Sequence, residues 1–185
     1  MRYNQGQINS IHLPHRLWQD MVNHCRRKLR GDYLTDEGPS PKAFGLIGGK
    51  LAGETLSVEL IVPLLKNVRD WGDQKKVMDG AMNRHAIVSE TPLDQRGWVA
   101  EPTELDTALH TMQEQGLRLV GNYHMHRVAW AHDARRDTPT ELDSALGHSS
   151  RMFMFIISMV NPELPTIRAF FEGIMDLELP VEFIN

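Results

Sequence analysis

A single cysteine is the first constraint on this chain of 185 residues. Cys25 alone can build neither an internal disulfide nor a cysteine-based zinc site. It falls at helical spacing among apolar residues, which suits a packed core thiol better than a nucleophile. Long apolar runs are missing as well, and no stretch approaches the ~20 residues of a membrane span. Residues 1–7 are polar and no apolar segment follows them, so no secretory signal is read there and a cytoplasmic protein is expected. There is no excess of positive charge either. Twenty Lys and Arg against 24 Asp and Glu leave a net charge of −4, with no general pull towards nucleic acid or an acidic membrane. Arg26, Arg27, Lys28 and Arg30 have little aromatic or repeated basic company, so they read as the solvated end of a helix. Repeats, low-complexity tracts and interdomain linkers are absent too.

What remains is an ordinary globular composition, 41% hydrophobic and 24% charged, enough for one domain with a real core. Residues 7–13 read as a short strand, after which Pro14 starts a helix with Leu17, Met21, Cys25 and Leu29 as its buried stripe. Gly, Pro, Asp and Ser make 31–41 a loop. Strands at 43–50 and 56–63 follow, joined around Gly53 as a hairpin. Gly48 and Gly49 suggest a bulge or close backbone packing, because Lys50 follows without the spacing of a phosphate loop. Residues 67–96 show no clear period: 71–76 read as a polar excursion and 85–89 as a strand. Pro102 begins a helix with Leu105, Leu109 and Met112 on one side, stopped by Gly116, with His110 on its surface. Residues 176–180 read as a tail with solvated acids. The pattern specifies one α/β domain over 1–185, a mixed central β-sheet flanked by helices, with 31–41, 67–84 and 127–137 as candidate mobile loops.

The chemistry concentrates in the second half. Residues 117–123 read as a strand that ends in His124-Met125-His126. Residues two apart on a strand point to one side, so the two imidazoles can converge on one ion. Imidazole is a common zinc ligand, and a third protein ligand would leave one tetrahedral position open. Asp143 is the candidate for that third ligand. It sits in a helix start where Thr138 reads as the N-cap, Pro139 as the first helical residue and Glu141 as the capping-box partner. Thr140 and Asp143 then share one face of that start, where a hydroxyl, a carboxylate and the helix dipole can face a bound oxyanion.

His124-Met125-His126-Arg127, a spacer, and Thr140-Glu141-Leu142-Asp143 together resemble the signature of the JAMM (MPN-plus) zinc metallopeptidases, His-x-His-Pro followed by Ser-x-x-Asp. The similarity extends to Ile11-His12-Leu13-Pro14, to 44–50 and 58–63 in the first half, and to 155–162 and 167–170 at the end. The resemblance implies the JAMM/MPN fold, which is cytidine-deaminase-like, with Zn2+ held by His124, His126 and Asp143. It implies hydrolysis of a peptide or isopeptide bond in a protein or peptide substrate, such as a ubiquitin-like or sulfur-carrier tail lying as a strand beside the sheet edge. Thr140 would stabilise the oxyanion.

Three positions depart from that family. Arg127 replaces the Pro, Thr140 the Ser, and Lys42 stands three residues before Gly45, where the family carries its general-base Glu. Such proton-transfer help is typically worth about 10²–10⁴-fold. The candidate replacements are Lys42 itself with a depressed pKa, Glu37 from the preceding loop, and Asp133 or His132 from the spacer. Arg127, Arg135 and Arg136 are candidate substrate contacts on the spacer loop. The second reading is an impaired domain of the same kind acting as a metal-binding or protein-interaction scaffold. A deaminase-like hydrolase is disfavoured, since neither a Pro-Cys-x-x-Cys nor a His-x-Glu motif is present.

Overall fold

The computed structural model describes residues 8–185. The first expected strand is β1, Ser10–Pro14. Gln7 and the polar stretch read as lacking a signal lie outside the described residues. Pro14, with its backbone donor missing, precedes α1, His15–Arg30. Leu17, Trp18, Met21, Val22 and Cys25 are buried at helical spacing, and α1 stops at Gly31 in the left-handed conformation (φ 77°).

The hairpin follows as β2, Phe44–Ala52, and β3, Thr55–Leu64. Its register shifts between Gly48 and Gly49, the expected bulge. The excursion read as loop and strand is instead a helix, α2, Gly72–His85. Only Met78, Ala81 and Met82 of its 14 residues are buried, so its sequence carries almost no helical period. The strand expected at 85–89 is irregular chain, because Arg96 takes the carbonyls of Ile87, Ser89 and Thr91 that a sheet neighbour would need. Helix α3, Pro102–Glu114, is capped by Glu101, which accepts from the amides of Thr103 and Glu104. Strand β4, Arg118–His126, helix α4, Glu141–Gly147, and strands β5, Phe153–Ser158, and β6, Thr166–Phe171, follow. Two short strands, β7, Glu178–Leu179, and β8, Val181–Ile184, close the chain. The supposed tail is thus paired, and Glu178 receives both arms of Arg168 rather than staying solvated.

Among the described residues eight strands form one mixed sheet, ordered β7-β6-β5-β4-β2-β3-β1-β8. β4 runs parallel to β5 and antiparallel to β2, and the sheet curls until it is nearly closed. The chain is a single α/β domain. On one face α1 covers the largest core, including Ile11, Met21, Ile47, Leu56, Tyr123 and Phe155. On the other, α3 packs Ala108 and Met112 over Leu46 and Leu64. No helix among the described residues is long and apolar enough to cross a membrane.

Candidate metal centre

Tyr123 and Met125 turn towards the α1 core, so alternation sends His124 and His126 to the opposite face of β4. The strand is interior, and its backbone is held on both sides, Phe44 lying opposite His124 and Ser158 opposite His126. The two imidazoles therefore project from a fixed base. Their Nε2 atoms are 3.0 Å apart. Asp143, from the first turn of α4, places Oδ1 3.5 Å from His124 Nε2 and Oδ2 3.7 Å from His126 Nε2. Ligand atoms about 2.0–2.2 Å from a tetrahedral ion stand about 3.3–3.6 Å from one another, and the separation of the imidazoles and that of each from one Asp143 oxygen lie around that edge. The residues fit a metal ion.

The proton positions agree with this. His126 Nδ1 lies 3.0 Å from the Arg136 carbonyl, which can only accept, so Nδ1 carries the proton and Nε2 presents a lone pair to the site. Arg136 holds that carbonyl in a left-handed backbone conformation (φ 53°). Its amide donates to Asp133 Oδ1 at 2.7 Å, and its guanidinium lies 3.5 Å over the Trp130 ring. Burial pushes the pKa of His124 and of His126 down, with repulsion from neighbouring positive charge adding to it, so both stay neutral as metal binding requires. Burial pushes Asp143 up, but the facing imidazoles and the donors of Thr140 outweigh it and keep the carboxyl below the usual range.

The helix cap differs from the expected one. Thr140, not Thr138, is the N-cap of α4, and Asp143, not Glu141, completes the capping box. Thr138 gives its hydroxyl to Asp133 Oδ2 at 3.1 Å. The Thr140 hydroxyl donates to Asp143 Oδ2 at 2.8 Å and accepts from the Asp143 amide. Its one proton is committed, so Thr140 acts here as a positioning residue for Asp143 rather than as an oxyanion donor.

The other candidates separate. Lys42, Arg127, Arg136 and Thr140 line one cavity with the triad, about 580 Å³ in volume. Glu37 lies on the far side of the sheet. It is buried with Arg27 and Lys28 beside His24, whose Nδ1 meets the Tyr123 hydroxyl at 2.8 Å, and it cannot serve as the base. The same contacts correct the basic cluster of α1, since Lys28 is buried rather than solvated. Arg135 is exposed, outside the cavity wall, and offers its carbonyl to Ser158. Asp133 is committed to Arg136 and Thr138, and His132 sits exposed beside Trp130. A substrate strand on the sheet edge would also be remote, since β4 lies three strands from β7, roughly 14 Å at the usual strand spacing.

Several site residues carried no legible signal. Trp98 stacks on Phe44 at 5.9 Å, and with Met78, Met82 and Met154 it gives the cavity apolar walls. Arg69 is buried and binds the Arg96 and Leu93 carbonyls and Asp79, which ties α2 and the following turn over the site. Gly97 takes φ 84°, and its carbonyl accepts from Lys42 Nζ at 3.2 Å. No motif marks these contacts, which join segments far apart in sequence.

No family model and no curated protein matches the chain. Solved structures do. A solution structure of a structural genomics target from Desulfitobacterium hafniense matches with a TM-score of 0.62 and 22% identity, covering 95% of this chain and 93% of that one. Another, from Salinibacter ruber, matches with a TM-score of 0.47 and 19% identity over 86% of this chain and 80% of that one. The first likeness, at its low identity, bears on the fold alone.

Proposed function

We propose that this chain is a zinc-dependent hydrolase of peptide or isopeptide bonds, resembling the JAMM metallopeptidases in fold as well as in motif and acting in the cytoplasm. The observation that carries this reading is the triad: two imidazole Nε2 atoms and one carboxylate within 4.8 Å of one another, with His126 Nε2 and Asp143 directed at the same point as His124. Two imidazoles and one carboxylate, without a thiolate, suit zinc. When bound there, zinc supplies Lewis acidity towards a carbonyl and activates water.

The chain's own residues do the rest. The Arg136 carbonyl fixes the His126 tautomer, and Thr140 keeps Asp143 ionised and aimed. Trp98, Met78 and Met82 exclude bulk water from one side of the cavity. Lys42 occupies the position of the family's base. Burial, with the charge of Arg69 and to a lesser degree Arg127, outweighs the pull of Asp70 and brings its ammonium down to about 8, so it is largely protonated at pH 7 and is free to act as a base only above that range. Protein or peptide tails, such as those of ubiquitin-like proteins, fit this reading as substrates entering by the cavity mouth.

Metal analysis tests the premise. Protein purified from zinc-containing medium should carry one ion per chain, and His126→Ala should carry none. A near-zero count in the unmutated protein overturns the proposal. A cleavage assay on an isopeptide without a carboxylate near the bond then compares Lys42 with Lys42→Glu, for which a rise of about 10²–10⁴-fold is expected. A second reading, a metal-binding scaffold without turnover, is favoured by one feature. The only carboxylates lining the cavity among the described residues are Asp143 and Glu172, and Glu172 is spent on the amides of Ser149 and Arg151. Absence of cleavage in the zinc-loaded wild type together with a gain in Lys42→Glu selects that reading.

A further inference from the structure

Four cations line the cavity, Lys42, Arg96, Arg127 and Arg136, against two carboxylates. Two of the four are already paired, although Arg136 Nε has no hydrogen-bond partner. Arg96 donates to the carbonyls of Thr91, Ile87 and Ser89. Arg136 lies on Trp130 and pairs with Asp133. Lys42 and Arg127 are different. Lys42 Nζ makes its hydrogen bond to the neutral Gly97 carbonyl, and neither side chain has a carboxylate within ion-pair distance among the described residues. Their charges repel, and Asp70, which lies outside the cavity wall, offsets this only for Lys42. Trp98, next to Gly97, adds a buried indole N–H with no hydrogen-bond partner.

Such a grouping is unfavourable without a counterion. Like charges held between apolar walls raise one another's energy, and the low-dielectric surroundings of Met78, Met82 and Trp98 sharpen the effect. A cation in the triad, whose only acid is Asp143, would add to the surplus rather than relieve it. The missing partner is an anion. It must be small enough to share the cavity with a peptide, because about 580 Å³ holds a few residues and not a folded domain.

We infer that Lys42 and Arg127 form a carboxylate-binding subsite beside the triad, which selects peptides bearing a carboxylate close to the bond that is cut. This deepens the hydrolase reading and rests on it for the word "cut", but not for the binding itself. The residue that replaces the family's Glu becomes a substrate anchor, with Trp98 as a further donor. The carboxylate has two sources, the C-terminal group of a peptide or an Asp or Glu side chain.

Binding of small probes separates these outcomes. N-acetyl-L-leucine, N-acetyl-L-leucinamide and the α-amide of N-acetyl-L-aspartate are titrated into the full chain by chemical-shift perturbation, once zinc-loaded and once after chelator treatment. The chelated arm removes direct carboxylate–metal contact. At least one acid should bind about tenfold or more tightly than the neutral leucinamide in both arms, the loss expected for a charge-assisted hydrogen bond. Preference for acetyl-leucine assigns the C-terminal carboxylate, and preference for the aspartyl amide assigns a side chain. Lys42→Met and Arg127→Gln should each erase that preference while leaving the leucinamide where it was. Equal binding of acids and amide, or no binding of either acid, overturns the subsite, as does a preference that survives both substitutions. The amide control needs no variant, so it holds even if one variant folds poorly. A chain that holds no zinc yet prefers the acids keeps the subsite and loses the hydrolase.

Discussion

Two polar clusters lie back to back across β4, on neighbouring residues, and they are built to different rules. Behind Tyr123, Glu37 receives Arg27, Lys28 and the Leu34 amide, while His24 meets the tyrosine hydroxyl. Both Glu37 oxygens face donors, and the charges there are paired, although His24 Nε2 keeps no hydrogen-bond partner. In front of it, His124 Nε2, His126 Nε2 and the Asp143 carboxylate converge on one point, and the only proton that can stand between the two imidazoles is one carried by His124 itself. Buried charges normally find opposite charges, so a carboxylate met by two cations reads as architecture and two imidazoles converging on a carboxylate as a cation site. The gap between them is one peptide unit. Gly45 makes the arrangement possible, since a Cβ there would run into the Tyr123 ring on its way to His24.

The strongest way to break this comparison is to open the closed cluster. Glu37→Ala leaves Lys28 buried with no counter-charge, and loss of one partner from a buried pair costs about 3–5 kcal/mol. Urea unfolding at pH 7 should show that loss, while the zinc count per chain stays unchanged because the triad lies on the other face. A loss of bound metal alongside the stability would show the clusters to be one unit.

Acid sharpens the same contrast. Burial raises Glu37, but the Arg27, Leu34 and Lys28 donors outweigh it and hold the carboxyl at about 2. Its folded pKa lies below its unfolded value, so its stabilisation is complete above about pH 4.5 and vanishes as pH falls through 2. Wild type and Glu37→Gln, compared at fixed salt, should therefore differ by on the order of 3 kcal/mol above pH 4.5 and converge towards pH 2. A gap that persists at pH 2 would mean the carboxylate charge is not what matters.

Zinc should act on the open cluster alone. At a hundredfold excess over its dissociation constant a ligand of the folded state adds about 2.7 kcal/mol. That gain should appear in wild type and in Glu37→Ala and be absent from His126→Ala, read from unfolding midpoints with and without metal.

The two clusters also differ in how far the sequence revealed them. His124 and His126 are legible because a strand's two-residue period is local, and the apolar run before them fixes which face they take. Glu37 is not, because its partners lie on a helix whose basic end looks like any solvated terminus until Lys28 is seen buried. Helix α1 could be read from Leu17, Met21 and Cys25, whereas α2, with three buried residues and two glycines, could not. At α4 the chain offers two boxes, Thr138 with Glu141 and Thr140 with Asp143, and Pro139 favours the first. Asp133 decides between them by taking the Thr138 hydroxyl, a contact across a loop that no helix rule contains.

That choice of cap sets the smallest effect and the finest test of the triad. Thr140→Ala removes the hydroxyl that both caps α4 and holds Asp143 Oδ2, leaving the Thr140 amide as the remaining donor to that oxygen. Lost N-caps cost about 1 kcal/mol, so metal-free stability should fall only that far. Zinc affinity should fall by more, about 10–100-fold, because a group that orients a ligand acts on every bond the ligand makes. Thr140→Ser keeps the oxygen and should restore both. If the alanine variant loses stability but binds zinc as tightly as wild type, Thr140 is a helix cap and nothing more, and Asp143 is held by its backbone alone.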